Sequence, residues 1–593
     1  MSGQPIRIGG ASAFWGDSSI AAPQLLTGGD LDFIVFDYLA EITMSILARA
    51  RARDPNLGYA TDFVDVIVSN LASLAERGIK VVANAGGVNP LACAREIEAA
   101  IERLGYSLKV GVVLGDDLLP SIDAFRRADL REMTSEAPIP DVVLSANAYL
   151  GAFPIAAALD AGAEIVVTGR CVDAALTLGP CIQRFGWRPE DFDLLAAGAL
   201  AGHIIECGAQ ATGGIHTDWE MTGDWSNIGY PIAEIARDGS FEITKPTGTG
   251  GLVSFATVAE QLVYEIGDPA NYLLPDVTCD FTQVRIVELG QDRVGVTGAR
   301  GREPGDSYKL SITYPDGFRV GAYLTICGID AVRKAEKVAD AVARRCQKIL
   351  RDRKLAPYSE ISAEVIGAES FYGAHSRARD SREVVLKLAA KHETQAPLNV
   401  LMRELTSSGT SMAPGITMMG GNRPKVSPVV RLMSCLIPKQ EVSVAIRVDG
   451  ASSSVVGALI GAEAEVQSPL NRSTVLIEEE SDCVDVPLVR LAWARSGDKG
   501  DKANIGIIAR RPEYLDPIRR ALTEDAVARH FAHFVKGSVE RFELPGICGL
   551  NFLLNSALGG GGIASLRADP QGKSYAQILL DFPISISAAT LRD

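Results

Sequence analysis

Lys80-Val-Val-Ala-Asn-Ala-Gly-Gly-Val-Asn-Pro90, followed by the segment from Pro90 to Leu104 and then by Lys109-Val-Gly-Val-Val-Leu114, decides the fold. A short apolar run rich in β-branched residues reaches a turn of Asn and Gly. The next segment places apolar residues three and four apart, as an amphipathic helix does, and a second Val-rich run closes the unit. This is the pattern of a βαβ crossover. The same rhythm extends outward through Ile6-Arg-Ile8, Phe33-Ile-Val-Phe36, Val142-Val-Leu144 and Glu164-Ile-Val-Val-Thr168, with a second helical pattern from Thr61 to Arg77. Strands buried on both faces read as continuous Val/Ile runs, so a mostly parallel, doubly wound α/β sheet is predicted for residues 1–275.

Ligands of such sheets sit at the carboxyl ends of the strands. The segments just past those ends are therefore candidate binding loops. They hold Ser12 in Gly9-Gly-Ala-Ser-Ala-Phe-Trp-Gly-Asp17, Asp37, the turn Asn84, Gly86 and Gly87, the segments Gly115-Asp-Asp117 and Ser145-Ala-Asn-Ala-Tyr149, and Arg170 with Asp173. The first loop lacks GxGxxG spacing, so no dinucleotide cofactor is predicted. Asp37 and its acidic neighbours are close enough in sequence for carboxylates to shift one another's pKa.

Beyond residue 275 the pattern changes to alternation, as in Thr282-Gln-Val-Arg-Ile-Val-Glu288, mixed with a helical segment from Ala331 to Leu350. An α+β domain is predicted for 276–460, a linker for 461–485 with Ser473-Thr-Val-Leu-Ile477 as a possible strand, and a small two-layer α/β domain for 486–593.

The chain has 593 residues, 47% hydrophobic and 22% charged, with a net charge of −15. That acidity argues against sequence-independent nucleic-acid binding, which needs a basic surface to displace counterions. No basic segment followed by an apolar run opens the sequence, and no stretch reaches the roughly 18 apolar residues of a membrane span. A cytoplasmic protein is expected, and a chain of this size and apolar content is expected to form a homo-oligomer. Ten cysteines occur without a CxxC pair, so neither a zinc ribbon nor a disulfide framework is predicted.

The densest polar cluster is His203-Ile-Ile-Glu206-Cys207, followed by His216-Thr-Asp218. On a helix His203 and Glu206 share a face, and a Gly-Gly turn could fold His216 back toward them. An imidazole oriented by a carboxylate suits proton transfer beside a carbonyl or thioester. The same pattern also fits two buried histidines satisfied by backbone. Cys207 is a candidate nucleophile with either histidine as base, although a free cysteine is more often a buried apolar residue. A divalent metal on these side chains is chemically allowed but weakly supported by spacing, and none is assigned. Lys245, Thr247, Gly248, Gly250 and Gly251 form a cation followed by a Gly/Thr loop, either an anion-binding nest or a flexible turn. In the C-terminal unit, Arg495-Ser-Gly-Asp-Lys-Gly-Asp-Lys-Ala-Asn504 is read either as a solvated hairpin or as a cap over a neighbouring site, with Arg495, Lys499 and Lys502 as anion ligands. Gly559 to Gly562 is a second permissive loop.

Ile8-Gly-Gly-Ala-Ser12, Ala83-Asn-Ala-Gly-Gly-Val-Asn-Pro90, Val167-Thr-Gly-Arg-Cys-Val-Asp-Ala174, Gly202-His-Ile-Ile-Glu-Cys207 and Thr212-Gly-Gly214 together resemble the acyclic terpene utilization AtuA family. The loop from Arg495 to Gly506 resembles the ferredoxin-fold domain that members carry fused or as a separate chain. The resemblance implies a ferredoxin-like C-terminal domain and a role in breaking down branched acids through acyl-CoA intermediates. It supplies no catalytic set. Two functions follow as expectations: a lyase, hydratase or hydrolase acting on a branched acyl-CoA without redox cofactor, with the CoA thioester as substrate, or a non-catalytic acyl-CoA-binding or assembly subunit.

Overall fold

The computed structural model describes residues 4–39, 41–418, 424–455 and 482–591. Five parallel strands form the centre of the first sheet, in the spatial order Ile6–Gly10, Phe33–Phe36, Lys80–Ala83, Ile165–Thr168, Val110–Leu114. Their side chains alternate between two cores. Val81 and Val112 face the layer of helices Ala21–Gly28, Thr61–Arg77 and Pro90–Leu104. Val82, Val113 and Val166 face Phe153–Asp160, Ala175–Phe185 and Phe192–Ile205. The sheet is doubly wound, as the sequence predicts.

The direction of winding reverses between Lys80–Ala83 and its neighbour Ile165–Thr168. The first continues into a helix on one face and the second into a helix on the other, so the loops beyond these carboxyl ends, where ligands of such sheets bind, frame the candidate crevice. The backbones come close at this point, since a Cβ on Gly86 would stand 2.5 Å from the Thr168 carbonyl oxygen. A Cβ on Gly10 would stand 2.3 Å from the Ile205 carbonyl oxygen. That absence of a side chain lets the end of Phe192–Ile205 press on the first strand and bring Glu206 to the crevice.

Antiparallel strands extend both edges of this sheet: Ile232–Ile235, Phe241–Thr244, Arg293–Thr297 and Arg285–Gly290 on one side, Ala445–Val448 and Ala451–Ser454 on the other. A second sheet is built on the 21-residue strand Ser307–Cys327, which pairs with Glu383–His392, Ser427–Pro438 and Ile416–Met418 beneath helices Ala331–Asp352 and Gln395–Ser411. The strand expected at Val142–Leu144 lies at Ser145–Ala148 instead. It joins this second sheet, Ala146 opposite Ile312, with Ser145 Oγ 2.6 Å from Thr313 Oγ1. The sheets therefore do not divide at residue 275, because each borrows strands from across that boundary.

The C-terminal unit has its own core under an antiparallel sheet ordered Ala492–Lys499, Lys502–Ala509, Gly549–Leu554, Val539–Leu544. Two short helices pack in this unit, Leu515–Ala521 and Glu524–His530, separated where Thr523 caps the second by accepting from the Ala526 N–H at 3.2 Å. Of the expected linker, 461–481 lie outside the described residues, and so does the strand suggested at Ser473 to Ile477. Cys483–Pro487 is a strand paired with Pro583–Ser587. Among the described residues no helix is long and apolar enough to cross a membrane.

Candidate functional site

Side chains from the ends of all five parallel strands meet in the crevice. Ser12 Oγ donates to the Asp37 carbonyl at 3.0 Å, and Asn84 Nδ2 donates to Asp37 Oδ1 at 2.6 Å while its Oδ1 accepts from the Tyr38 N–H at 2.7 Å. Arg170 Nη1 donates to the Leu39 carbonyl at 2.7 Å and to Asp173 Oδ1 at 2.8 Å, with the guanidinium 4.1 Å from the Tyr149 ring centroid. Asp116 accepts from the Arg170 N–H and from Asn147 Nδ2, both at 2.8 Å. Burial pushes the Asp37 carboxyl well up, with the nearby Asp173 charge adding to it. Burial likewise pushes Asp116 up to about 6. Arg170 is 3% exposed, whereas the Asp173 side chain is 35% exposed.

The opposite wall carries His203 and Glu206. His203 Nε2 lies 3.2 Å from the Leu262 carbonyl oxygen and Nδ1 3.1 Å from Glu206 Oε1. Burial pulls the imidazole down to about 4, so the ring is neutral. A carbonyl only accepts, so Nε2 carries the hydrogen and Nδ1 presents a lone pair. Glu206 completes that bond as a protonated acid, because burial, then Asp173 and Glu265, raise its carboxyl well above the ordinary range. Its other oxygen, Oε2, is buried without a hydrogen-bond partner among the described residues. The arrangement bonds a carboxyl that favours its proton to a neutral imidazole, with the charge of half-buried, arginine-paired Asp173 bearing on it.

Residues 6–448 match the Acyclic terpene utilisation family protein AtuA, and residues 486–585 match the AtuA ferredoxin-like domain. The chain belongs to the AtuA family. Membership suggests a role in acyclic terpene utilisation. No curated protein and no solved structure matches the chain. The C-terminal sheet of this AtuA chain is the ferredoxin-like domain, and it lies against the segment that follows helix Phe255–Leu262.

The AtuA fold separates residues that the sequence groups together. His216 does not join His203. Its Nδ1 lies 3.1 Å from Glu260 Oε2, and Glu260, fully buried, also accepts from Arg495 Nη2 at 2.7 Å and the Thr217 N–H at 3.1 Å. Burial alone would raise Glu260, but the Arg495 charge and the contact with His216 hold it below its ordinary value. Asp218 accepts from both Nη atoms of Arg510 at 2.6 Å and from Trp493 Nε1 at 2.6 Å, and Arg510 holds its carboxyl down. His216 and Asp218 therefore fasten the ferredoxin-like domain and are unsuited to acid–base work in the crevice.

Two further expectations are corrected by hydrogen-bond accounting. Lys245 Nζ donates to the Thr249 carbonyl at 2.9 Å and lies 3.2 Å from Asp292 Oδ2. In its loop the N–H groups of Thr249, Gly250 and Gly251 donate to the carbonyls of Pro246, Asn227 and Thr222. Thr247 and Gly248 are exposed on the turn, Gly248 with φ +78°. A nest whose donors are occupied has little left for an anion. Burial drives the Cys207 thiol well up, with Glu206 adding to it, so it is no thiolate nucleophile. Among the described residues no three His, Cys, Asp or Glu side chains are grouped to hold a metal ion.

Sequence reasoning did not single out Tyr272 or Glu265, whereas Asp116 lies in one of the segments it places just past a strand end. The Tyr272 ring sits 5.7 Å from that of His203, and Glu265 acts on Glu206. Asp116 had a usable signal, its place two residues beyond the end of Val110–Leu114. Tyr272 and Glu265 had none, because they reach the crevice only through tertiary packing.

Proposed function

We propose that this AtuA family chain is a catabolic enzyme acting on a branched acyl-CoA by acid–base chemistry, of lyase, hydratase or hydrolase type and without a redox cofactor. The observation that carries the reading is Glu206: a buried carboxyl that retains its proton, bonded through one oxygen to neutral His203 and with the other left without a partner in the crevice. Glu206 is the general acid, His203 positions it, and Asp173, held by Arg170, is the base on the open side. Two carboxyls in unlike environments divide the acid and base roles. Ser12, Asp37, Asn84 and the Gly86–Gly87 turn would shape the floor against which the thioester rests. Family membership supports the pathway, and the crevice supports the type of chemistry. The reading places the reaction in the cytoplasm, with the chain as a homo-oligomer.

Purified protein should convert at least one member of a panel of branched acyl-CoAs, followed by mass spectrometry with and without divalent metal. Glu206→Gln, whose amide can still donate to His203, should lower kcat by about 10²–10⁴-fold at an unchanged unfolding midpoint. A panel left intact by the unmodified protein overturns the reading. Binding without turnover would select the alternative, an acyl-CoA-retaining or assembly subunit, which draws on the firmly docked ferredoxin-like domain.

A further inference from the structure

The hairpin Ala492–Lys499/Lys502–Ala509 reaches the crevice from the ferredoxin-like domain, and it is held on two sides. On the outer side the four-glycine loop grips its turn. The N–H groups of Gly560 and Leu558 donate to Asp501 Oδ1 at 2.6 and 3.2 Å, and the Ala557 N–H donates to the Asp501 carbonyl at 2.9 Å. A Cβ on Gly561 would stand 2.0 Å from the Gly500 carbonyl oxygen, so loop and turn touch backbone to backbone. On the inner side two fully buried asparagines lock the sheet to the main domain. Asn504 Nδ2 donates to the Val263 carbonyl at 2.6 Å while its Oδ1 accepts from the Glu265 N–H at 3.0 Å. Asn551 Nδ2 donates to the carbonyls of Ile266 and Gly267 at 2.8 and 2.6 Å. A Cβ on Gly497 would stand 2.7 Å from the side chains of Tyr264 and Glu265. The turn is therefore fixed before any ligand arrives.

Of the three cations on this hairpin, Arg495 is spent on Glu260 and Gln210, and Lys502 is half-buried with its charge bearing on Glu132. Lys499 is different. Its Nζ lies 5.5 Å from the Tyr272 ring centroid, and its charge bears on both His203 and Glu206. It is exposed, and among the described residues it makes no ion pair within 4.0 Å. The neighbouring cations differ, since Arg170 is paired with Asp173 and Lys573 with Glu265. An exposed lysine beside the Tyr272 ring, its charge bearing on His203 and Glu206 and with no ion pair of its own among the described residues, is free to meet an incoming anion.

We propose that Lys499 is the substrate-anchoring cation of the crevice, holding a phosphate or carboxylate of the substrate, so that the site is complete only with the ferredoxin-like domain in place. The identity of the substrate rests on the acyl-CoA reading above; the need for an anion does not. Two anionic groups of an acyl-CoA substrate share this chemistry, the phosphates of the CoA moiety and a carboxylate on the acyl chain.

Calorimetric titration of the full-length protein tests it, with inorganic pyrophosphate, glutarate, a branched acyl-CoA and the matching acyl-pantetheine as probes. Lys499→Ala should weaken at least one anionic probe tenfold or more, Lys499→Arg should restore most of the loss, and Lys502→Ala should bind as the parent does. Gly561→Ala, which displaces the turn without touching the lysine, should reproduce part of the defect. A loss limited to pyrophosphate and acyl-CoA places a phosphate on Lys499, and a loss for glutarate places a carboxylate there. Lys499→Ala binding every probe like the parent, or a parent that binds none of them, overturns the proposal. Lys499-dependent binding without turnover leaves it standing and removes the proposed reaction instead.

Discussion

Asp116 illustrates how far burial alone can shift a carboxyl, to about 6 against 3.8 for a free side chain. Because the folded pKa is the higher one, the folded chain binds this proton more tightly. The associated stability is full below 3.8 and is lost as the pH rises through about 6. Two pKa units correspond to roughly 3 kcal/mol as an upper bound. Asp116→Asn should therefore gain stability relative to the parent as pH rises from 4 to 6, read as the difference between urea-unfolding free energies at each pH. His203 carries the opposite slope. Its pKa is drawn from 6.5 down to about 4, so its contribution is lost as the pH falls through that interval. At this scale the sequence conveys residue types and little else. His203 with Glu206 was readable because three residues separate them on one helix. His216 was not, because the partners that define it, Glu260 and Arg495, are brought together from 235 residues apart.

Among the elements, helix Phe255–Leu262 serves both the crevice and the domain seam, since it carries Glu260 and ends in the carbonyl that receives His203. Ser254 and Thr257 form a reciprocal capping box at its start. Ser254→Ala should cost about 1 kcal/mol, measured as a lowered unfolding midpoint. The strand Lys502–Ala509 packs so closely on the chain after this helix that a Cβ on Gly506 would stand 2.1 Å from the Val263 side chain. Gly506→Ala should loosen the ferredoxin-like domain, seen as faster limited proteolysis beyond residue 482 with the main domain intact. The parallel strands were legible because double burial demands unbroken runs of Val and Ile. Ser145–Ala148 was not, since its four small residues carry no such run and its partner lies more than 160 residues on.

For the molecule as a whole, the seam between main and ferredoxin-like domains is organised around one fully buried carboxylate. Removing a single partner from such a pair leaves the other charge buried and uncompensated, which typically costs about 3–5 kcal/mol. Glu260→Gln should accordingly release the C-terminal domain, read by proteolysis, and should abolish the Lys499-dependent step along with it. Arg495→Ala should do the same. Asp218→Asn, at a more exposed pair, should have a milder effect.

The exchange of strands across residue 275 constrains how this polypeptide can be divided. Ser145–Ala148 is stitched into the second sheet and Ala445–Val448 into the first, so the two layers are interlaced like the halves of a zip. Severing the backbone near 275 strands a ribbon on each fragment with its hydrogen-bonding edges bare, an invitation to precipitate. Among the described residues no strand pairing joins the chain up to 455 to the chain from 482 on, so two co-produced pieces divided between them should reassemble into a working whole.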